Sequence, residues 1–412
     1  MYEVSKSTDE LAIRKQFPSL SQKINGRDLI YLDNAATSQK PQTVIESLGN
    51  YYEWNNANIH RGIHSLAERA TFGYEATRKS VKKFINASEH EEIIFTKGTT
   101  EGINLVSQSY GRKFLGKDDE IIISHLEHHS NIVPWQILCE QTGAKLKVIP
   151  ISSAGEIIME EYYKLLSNKC KIVSVSYISN SLGTINNVTE IISKAHEHGA
   201  LVMIDAAQAA PHVKIDVQGL DVDFLAFSSH KMYGPTGVGV LYGKRHILEI
   251  MDPYQGGGEM IDQVSFKKTT YNNIPYKFEA GTPPIAGVIA FNEEIKFITD
   301  LGHGTIARHE NQLLDYANYK LQQVDGFTPI GTAEKKTAVI SFNLDGIHDF
   351  DLSILLDSKG IAVRNGHHCT QPIMDYFNIE GTVRASFAVY NTSEEIDILA
   401  DALVNIRKKI VT

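Results

Sequence analysis

The chain has 412 residues, 42% of them hydrophobic, and a formal net charge of −9 at pH 7. That length leaves room for two or three domains of roughly 150 residues around sizeable cores. Lysine and arginine are scattered with no basic run, which argues against nucleic acid or an anionic membrane as partner and leaves small molecules or proteins.

The N-terminal segment "MYEVSKSTDELAIRKQF" is charged throughout and lacks the apolar stretch of a signal peptide. No uncharged apolar run is long enough to span a bilayer, so a cytoplasmic enzyme is expected. The 3 cysteines are too few for a disulfide framework. Cys139 and Cys170 read as small core residues beside apolar segments, whereas Cys369 has polar neighbours.

In chain order, strand-length apolar runs fall at 92–96, 120–124, 146–151, 171–177, 201–205, 224–228 and 237–243. Helical patterns at 100–114 and 188–199 lie between them, the second ending on Gly199 as a C-cap would. Several runs are apolar on both faces, the mark of a mostly parallel sheet covered by helices. Beyond about Phe291 the texture changes to helices at 292–302 and 309–324, strands "AVISFNL" and "VRASFAVY", and a last helix at 394–410. The expectation is an α/β protein with a large domain over 31–290 and a smaller α+β domain made of 1–30 plus 291–412. The Gly/Pro/Tyr-rich segment 252–290 reads as neither domain's core.

The stretches with chemical content also follow the chain. His60 and His64 in "NIHRGIH" are spaced as a helical metal pair would be, but Gly62 and the absence of helical flanks speak against it. In "EIIFTKGTTEGINLV", Gly98, Thr99 and Thr100 open a helix whose N–H groups, hydroxyls and dipole suit a phosphate. A capping box from Thr99 fails because Gly102 stands where Glu or Gln is needed, and plain capping by a threonine remains an alternative. His125, His128 and His129 follow a strand and could suggest zinc. No HExxH or CxxC pattern accompanies them, and a strand-end imidazole can instead stack on a cofactor ring and move protons.

Asp205 ends the strand "LVMID", where a carboxylate could keep a pyridine nitrogen protonated and Gln208 could donate to a phenolic oxygen. Alone, such an Asp is more often an N-cap or metal ligand. Lys231 lies just past the strand "FLAFS", in a loop tightened by Gly234, Pro235 and Gly237. At the carboxyl edge of a parallel sheet, where α/β enzymes bind ligands, its amine could form a Schiff base with an aldehyde cofactor; a solvated loop lysine is the alternative. In "VRNGHHCTQP", Cys369 reads as a metal ligand, a structural thiol or a nucleophile.

Taken together and in order, "YLDNAATSQKP", "HRGIH", "FTKGTTEGINLV", "LEHHSNIVPW", "IDAAQ", "FSSHKMYGPTGVGVLYG", "GGGEMI", "KFEAGTP" and "RNGHHCTQP" resemble the SufS-type (group II) cysteine desulfurases, over residues from about 11 to about 408. The resemblance implies the pyridoxal 5′-phosphate (PLP)-dependent fold type I architecture of aspartate aminotransferase. It implies conversion of L-cysteine to L-alanine with an enzyme persulfide for iron–sulfur cluster assembly. By motif, Lys231 would carry the cofactor, Asp205 face its pyridine nitrogen, Gln208 its phenolic oxygen, and His128 stack on the ring and assist catalysis. Thr99, Thr100, Ser228 and His230 would hold the phosphate, with Thr282 reaching it from the other subunit of a homodimer. Asn180, Arg384, Arg364, His60 and Arg61 would face the substrate, Cys369 would take its sulfur, and no metal is implied.

The short spacing between Arg364 and Cys369 fits group II, whose members use an acceptor protein of SufE or SufU type. Asn365 and Pro284 depart from the usual "RTGHHC" and "GTPN" without removing a reactive group. Related substrates, selenocysteine or cysteine sulfinate, are the alternative within the class. A zinc hydrolase built on the histidines and a scaffold that has lost its cofactor are the alternatives outside it.

Overall fold

The computed structural model describes residues 8–410, with side chains from Leu11 onward; the first seven residues of the charged N-terminal segment lie outside the described residues. Seven strands make the main sheet: β1 (Ile93–Thr96), β2 (Glu120–Ser124), β3 (Lys145–Ile149), β4 (Cys170–Ser176), β5 (Leu201–Asp205), β6 (Phe224–Ser228) and β7 (Gly239–Gly243). Across the sheet the order is β1-β7-β6-β5-β4-β2-β3. Paired strands are parallel except for β7, which runs antiparallel to β1 and β6. The α/β expectation is borne out.

Residue type explains the layering. Strands β2 and β6 are buried at every position, as helix-covered strands must be, and each fully buried Val, Leu, Ile or Phe stabilises the fold by ~1.5–3 kcal/mol. The edge strand β3 carries Lys145 and Lys147 and buries only Ile149, so charge closes the sheet against further pairing. Crossovers that parallel strands require are helical at 99–114, Val133–Thr142 and Val188–Glu197. Gly199 follows the last of these at φ +75°, a left-handed stop that glycine adopts without strain.

A second sheet, fully antiparallel, contains β8 (Phe327–Ile330), β9 (Val339–Leu344), β10 (Arg364–Gly366) and β11 (Thr382–Ser386), ordered β8-β9-β11-β10. Helices His303–Leu321, Asp349–Asp357 and Ser393–Ile410 pack on it around Leu313, Phe342, Leu352 and Leu399. Ile30 and Leu32 belong to this core too, and the N–H groups of Leu32 and Ser386 donate to the carbonyls of Ala362 and Leu32, tying the chain's early segment to the second sheet.

One helix departs from expectation. It spans Ile285–Leu301, starting seven residues before the predicted 292. Ile285, Ala286, Val288, Ala290 and Phe291 are all buried, so this part is apolar all round and lacks the one-sided pattern that flags a helix at a surface. Within 252–290, Met260, Ile274 and Phe278 are buried as well, so the segment does supply core residues.

Candidate active site

The carboxyl ends of five main-sheet strands meet the second sheet around a cavity of about 190 Å³. Beyond β1 stand Thr99 and Thr100, beyond β2 His128, and beyond β4 Asn180. Asp205 ends β5 with Gln208 beyond it, and Ser228 ends β6 with His230 and Lys231 beyond it. Arg364 and Arg384 come from β10 and β11, and Cys369 from the loop after β10; all of these line the cavity. A larger cleft of about 1090 Å³ beside residues 269–277 brings together no such set.

Burial governs the charges. It pushes the Lys231 amine down to about 8, against the pull of the Asp205 carboxylate, which favours the cation. It raises Asp205, which the Lys231 charge and the N–H of Ala207, 2.9 Å from its Oδ1, hold toward the ionised form. His128 is driven down to about 3 by burial and then by Lys231, leaving a neutral, flat ring whose Nδ1 accepts from the Ser130 N–H at 3.0 Å. His230 falls to about 4 for the same first reason. Gln208 donates one amide hydrogen to the Ala35 carbonyl at 2.7 Å, which leaves its second for the cavity.

The loop that carries Lys231 is held by its backbone. The His230 carbonyl accepts from Thr37 Oγ1 at 2.9 Å, the Ser38 N–H at 3.1 Å and Lys40 Nζ at 2.9 Å. The Tyr233 N–H donates to Ser38 Oγ at 2.7 Å, and Ser229 Oγ to the buried Glu294 at 2.5 Å. Gly234 is required here, because a Cβ would lie 1.0 Å from Glu294 Oε2.

Thr99 is not an N-cap, the alternative reading of this turn. Gly98 caps at φ +153°, Thr99 is the first helical residue, and its N–H and hydroxyl both meet Ser228 Oγ at 2.8 Å. Thr100 Oγ1 meets Ser130 Oγ at 2.7 Å. Hydroxyls and N–H groups thus crowd one end of the cavity, suited to an anion.

At the other end Arg364 and Arg384 face each other across β10 and β11, a like-charge pairing that needs an anion. Asp33 answers both, 3.0 Å from Arg384 and 3.9 Å from Arg364. Arg384 also donates to the Asn180 carbonyl at 2.8 Å, and its buried Nε has no partner among the described residues.

The loop 367–370 folds tightly. His368 and Cys369 both sit in the left-handed region, φ +52° and +59°. His367 Nδ1 accepts from the Cys369 N–H at 3.1 Å, and Asn180 donates to the His368 carbonyl at 2.8 Å. His368, 3% exposed, meets Thr382 Oγ1 at 2.8 Å. Burial, then Arg384 and Arg364, push it down to about 2. An unfolded chain protonates this histidine near 6.5, so below that pH the unfolded state binds the extra proton and stability falls with acid until about 2. Replacing His368 by Gln is expected to reduce the acid-side slope of unfolding free energy by about 1.4 kcal/mol per pH unit. Urea unfolding at about pH 6 and pH 4 checks this, and equal slopes for both proteins would refute it.

The aminotransferase class-V family profile matches residues 30–399. The chain belongs to the class-V aminotransferase family. It is 52% identical over 391 residues to a probable cysteine desulfurase of Halalkalibacterium halodurans, covering 95% of this chain and 96% of the relative. It is 48% identical to a probable cysteine desulfurase of Vibrio cholerae, covering 95% and 97%. The crystal structure of the cysteine desulfurase CsdA from Escherichia coli superposes with a TM-score of 0.91 at 38% identity, covering 98% of this chain and 100% of that one. The fold type I architecture is thereby established.

Three residues singled out in this class-V chain sit elsewhere. His60 and Arg61 line a separate cavity of about 310 Å³ with Gly281 and Pro283, the neighbours of Thr282. His60 binds Glu75 at 3.0 Å, and His64 caps the helix Ser65–Phe84, so the two do not form a helical pair. The other histidine group disperses as well: His125 Nε2 meets the Pro372 carbonyl, His128 turns to Ser130, and His129 to Gln371. Among the described residues no group of three His, Cys, Asp or Glu could hold a metal. Asp33 was missed although "YLD" ends in a carboxylate as "VMID" does; Lys40 and Glu294 carried no comparable signal.

Proposed function

We propose that the chain is a PLP-dependent cysteine desulfurase, converting L-cysteine to L-alanine and leaving the sulfur on Cys369. The observation that carries this reading is the convergence of Lys231, Asp205 and Cys369 on one cavity. The cavity fits the cofactor. Lys231 would hold its aldehyde carbon, Asp205 the proton on its ring nitrogen, Gln208 its phenolic oxygen, and His128 its face. Thr99, Thr100, Ser228 and His230 would take the phosphate. Ser176 Oγ and Arg384 Nε, buried and without a hydrogen-bond partner among the described residues, are polar atoms a bound ligand would satisfy. When bound, the group supplies an electron sink for charge at the substrate Cα.

The protein's own residues do the rest. Arg384 and Arg364 hold the substrate carboxylate, Arg384 by a planar fork that lysine cannot copy. Lys231, held near 8, takes the Cα proton in its neutral form. The Cys369 sulfur then bonds to the substrate sulfur as the Cβ–S bond breaks, and the electron pair left on carbon is protonated. Cysteine plus a thiol gives alanine plus a persulfide, balanced without an external oxidant.

In the cell this sulfur would serve iron–sulfur cluster assembly, in the cytoplasm. Cys369 sits in a short, hydrogen-bonded loop, which favours a SufE- or SufU-type acceptor that comes to the cysteine. A homodimer is favoured by His60, Arg61 and Thr282, none of which lines the Lys231 cavity of its own chain, and by the exposure of Ile63 (95%) and Phe72 (78%) nearby in sequence. In the dimer those three residues would complete the partner's site.

Mass spectrometry after a single exposure to L-cysteine, without reductant, is expected to find one extra sulfur on the Cys369 peptide and one alanine per site. Extra sulfur absent from that peptide while alanine accumulates would overturn the reading.

A further inference from the structure

His129 does not line the cavity, yet it touches the cysteine loop twice. Its backbone N–H donates to the Cys369 carbonyl at 2.8 Å, and its ring Nε2 accepts from the Gln371 N–H at 3.1 Å. The two bonds bracket Thr370 and grip the loop on both sides of the bend. The ring also lies 5.5 Å from the His367 ring, whose Nδ1 accepts from the Cys369 N–H.

Such a grip answers a specific need. Two consecutive residues other than glycine in left-handed geometry, His368 and Cys369, persist only where the surroundings over-determine them. Inside the loop, the Thr370 N–H and hydroxyl bond the His367 carbonyl at 2.8 and 2.9 Å. Across to the main sheet, His129 supplies two contacts, with Asn180 and His125 adding one each at 2.8 and 3.0 Å. Because Nε2 accepts, the ring proton must sit on Nδ1.

We propose that His129 is a positioning residue for Cys369, fixing the sulfur's approach to the substrate through the loop and touching neither substrate nor cofactor. Three successive side chains then divide the site: His128 faces the cavity, His129 holds the cysteine loop, and Ser130 bonds Thr100 at the anion end. A displacement of about 1 Å at the reacting sulfur costs roughly 10²-fold in rate.

The proposal rests on the desulfurase reading, and the experiment separates the two. The PLP-loaded wild type and its H129A, H129N and H129Q variants are compared for single-turnover persulfide formation on Cys369 and for solvent deuterium exchange at the Cα of L-alanine. Glutamine places an acceptor oxygen where Nε2 stood; asparagine ends near Nδ1 and does not.

H129A and H129N are expected to form persulfide about 10²-fold more slowly, with Cα exchange unchanged, and H129Q to recover most of the rate. Should H129A fail to fold, H129N and H129Q carry the comparison. Wild-type persulfide rates in H129N, an equal loss of both reactions, or no recovery in a folded H129Q would each overturn the positioning role. A wild type that exchanges Cα but gains no sulfur on Cys369 would overturn the desulfurase reading and the positioning role together.

Discussion

Replacing Lys231 by alanine is expected to lower alanine formation from L-cysteine by about 10²- to 10⁴-fold or more, the usual worth of a positioned acid–base group, with loss of a covalent cofactor link in addition. The amine suits proton transfer because burial brings it down to about 8 while Asp205 keeps it from falling further. A lysine in water, near 10.4, would be almost wholly protonated at neutral pH and a poor base. The effect belongs to chemistry and not to loss of the fold, so the variant should still melt cooperatively, at a midpoint lowered by the loss of a covalently held cofactor. Alanine production measured beside a melting curve checks both halves, and a variant within tenfold of the wild-type rate would remove Lys231 from the reaction.

Replacing Cys369 by alanine is expected to abolish persulfide formation and to leave Cα deuterium exchange of L-alanine in place. The two outcomes differ because the groups proposed to handle the Cα proton, Lys231 with Asp205 and His128, come from the main sheet. Cys369 belongs to the loop after β10. A serine variant should behave the same way, since its hydroxyl is a far weaker nucleophile toward sulfur than a thiolate. Full activity on L-cysteine in either variant would eliminate the persulfide route.

Most main-sheet strands were legible because helix-covered strands are apolar on both faces and end where polar residues begin; "VMID" and "FLAFS" announce both strand and strand end, while the edge strand β3, with only Ile149 buried, showed as a shifted run at 146–151. Lys231, Asp205 and Cys369 were legible for a related reason, as polar residues set where an apolar run stops or inside a tight loop. The start of the Ile285–Leu301 helix was not, because a helix buried on every side has no amphipathic period to detect. Asp33 owes its place between Arg364 and Arg384 to the docking of three segments far apart in the chain. Lys40 and Glu294 read as ordinary charged residues until the loop packs between them. His60 and Arg61 line a cavity of their own beside Gly281 and Pro283, a relation no local pattern carries.

The grip on the His230 carbonyl has a consequence for mutation. Thr37, Ser38, Lys40 and Glu294 shape the loop through its backbone and through Ser229, so the side chain at position 231 contributes little to that shape. Loss of the amine at this one codon would leave the loop's backbone anchors in place and would meet selection chiefly through the reaction, which makes the lysine standing there a record of use.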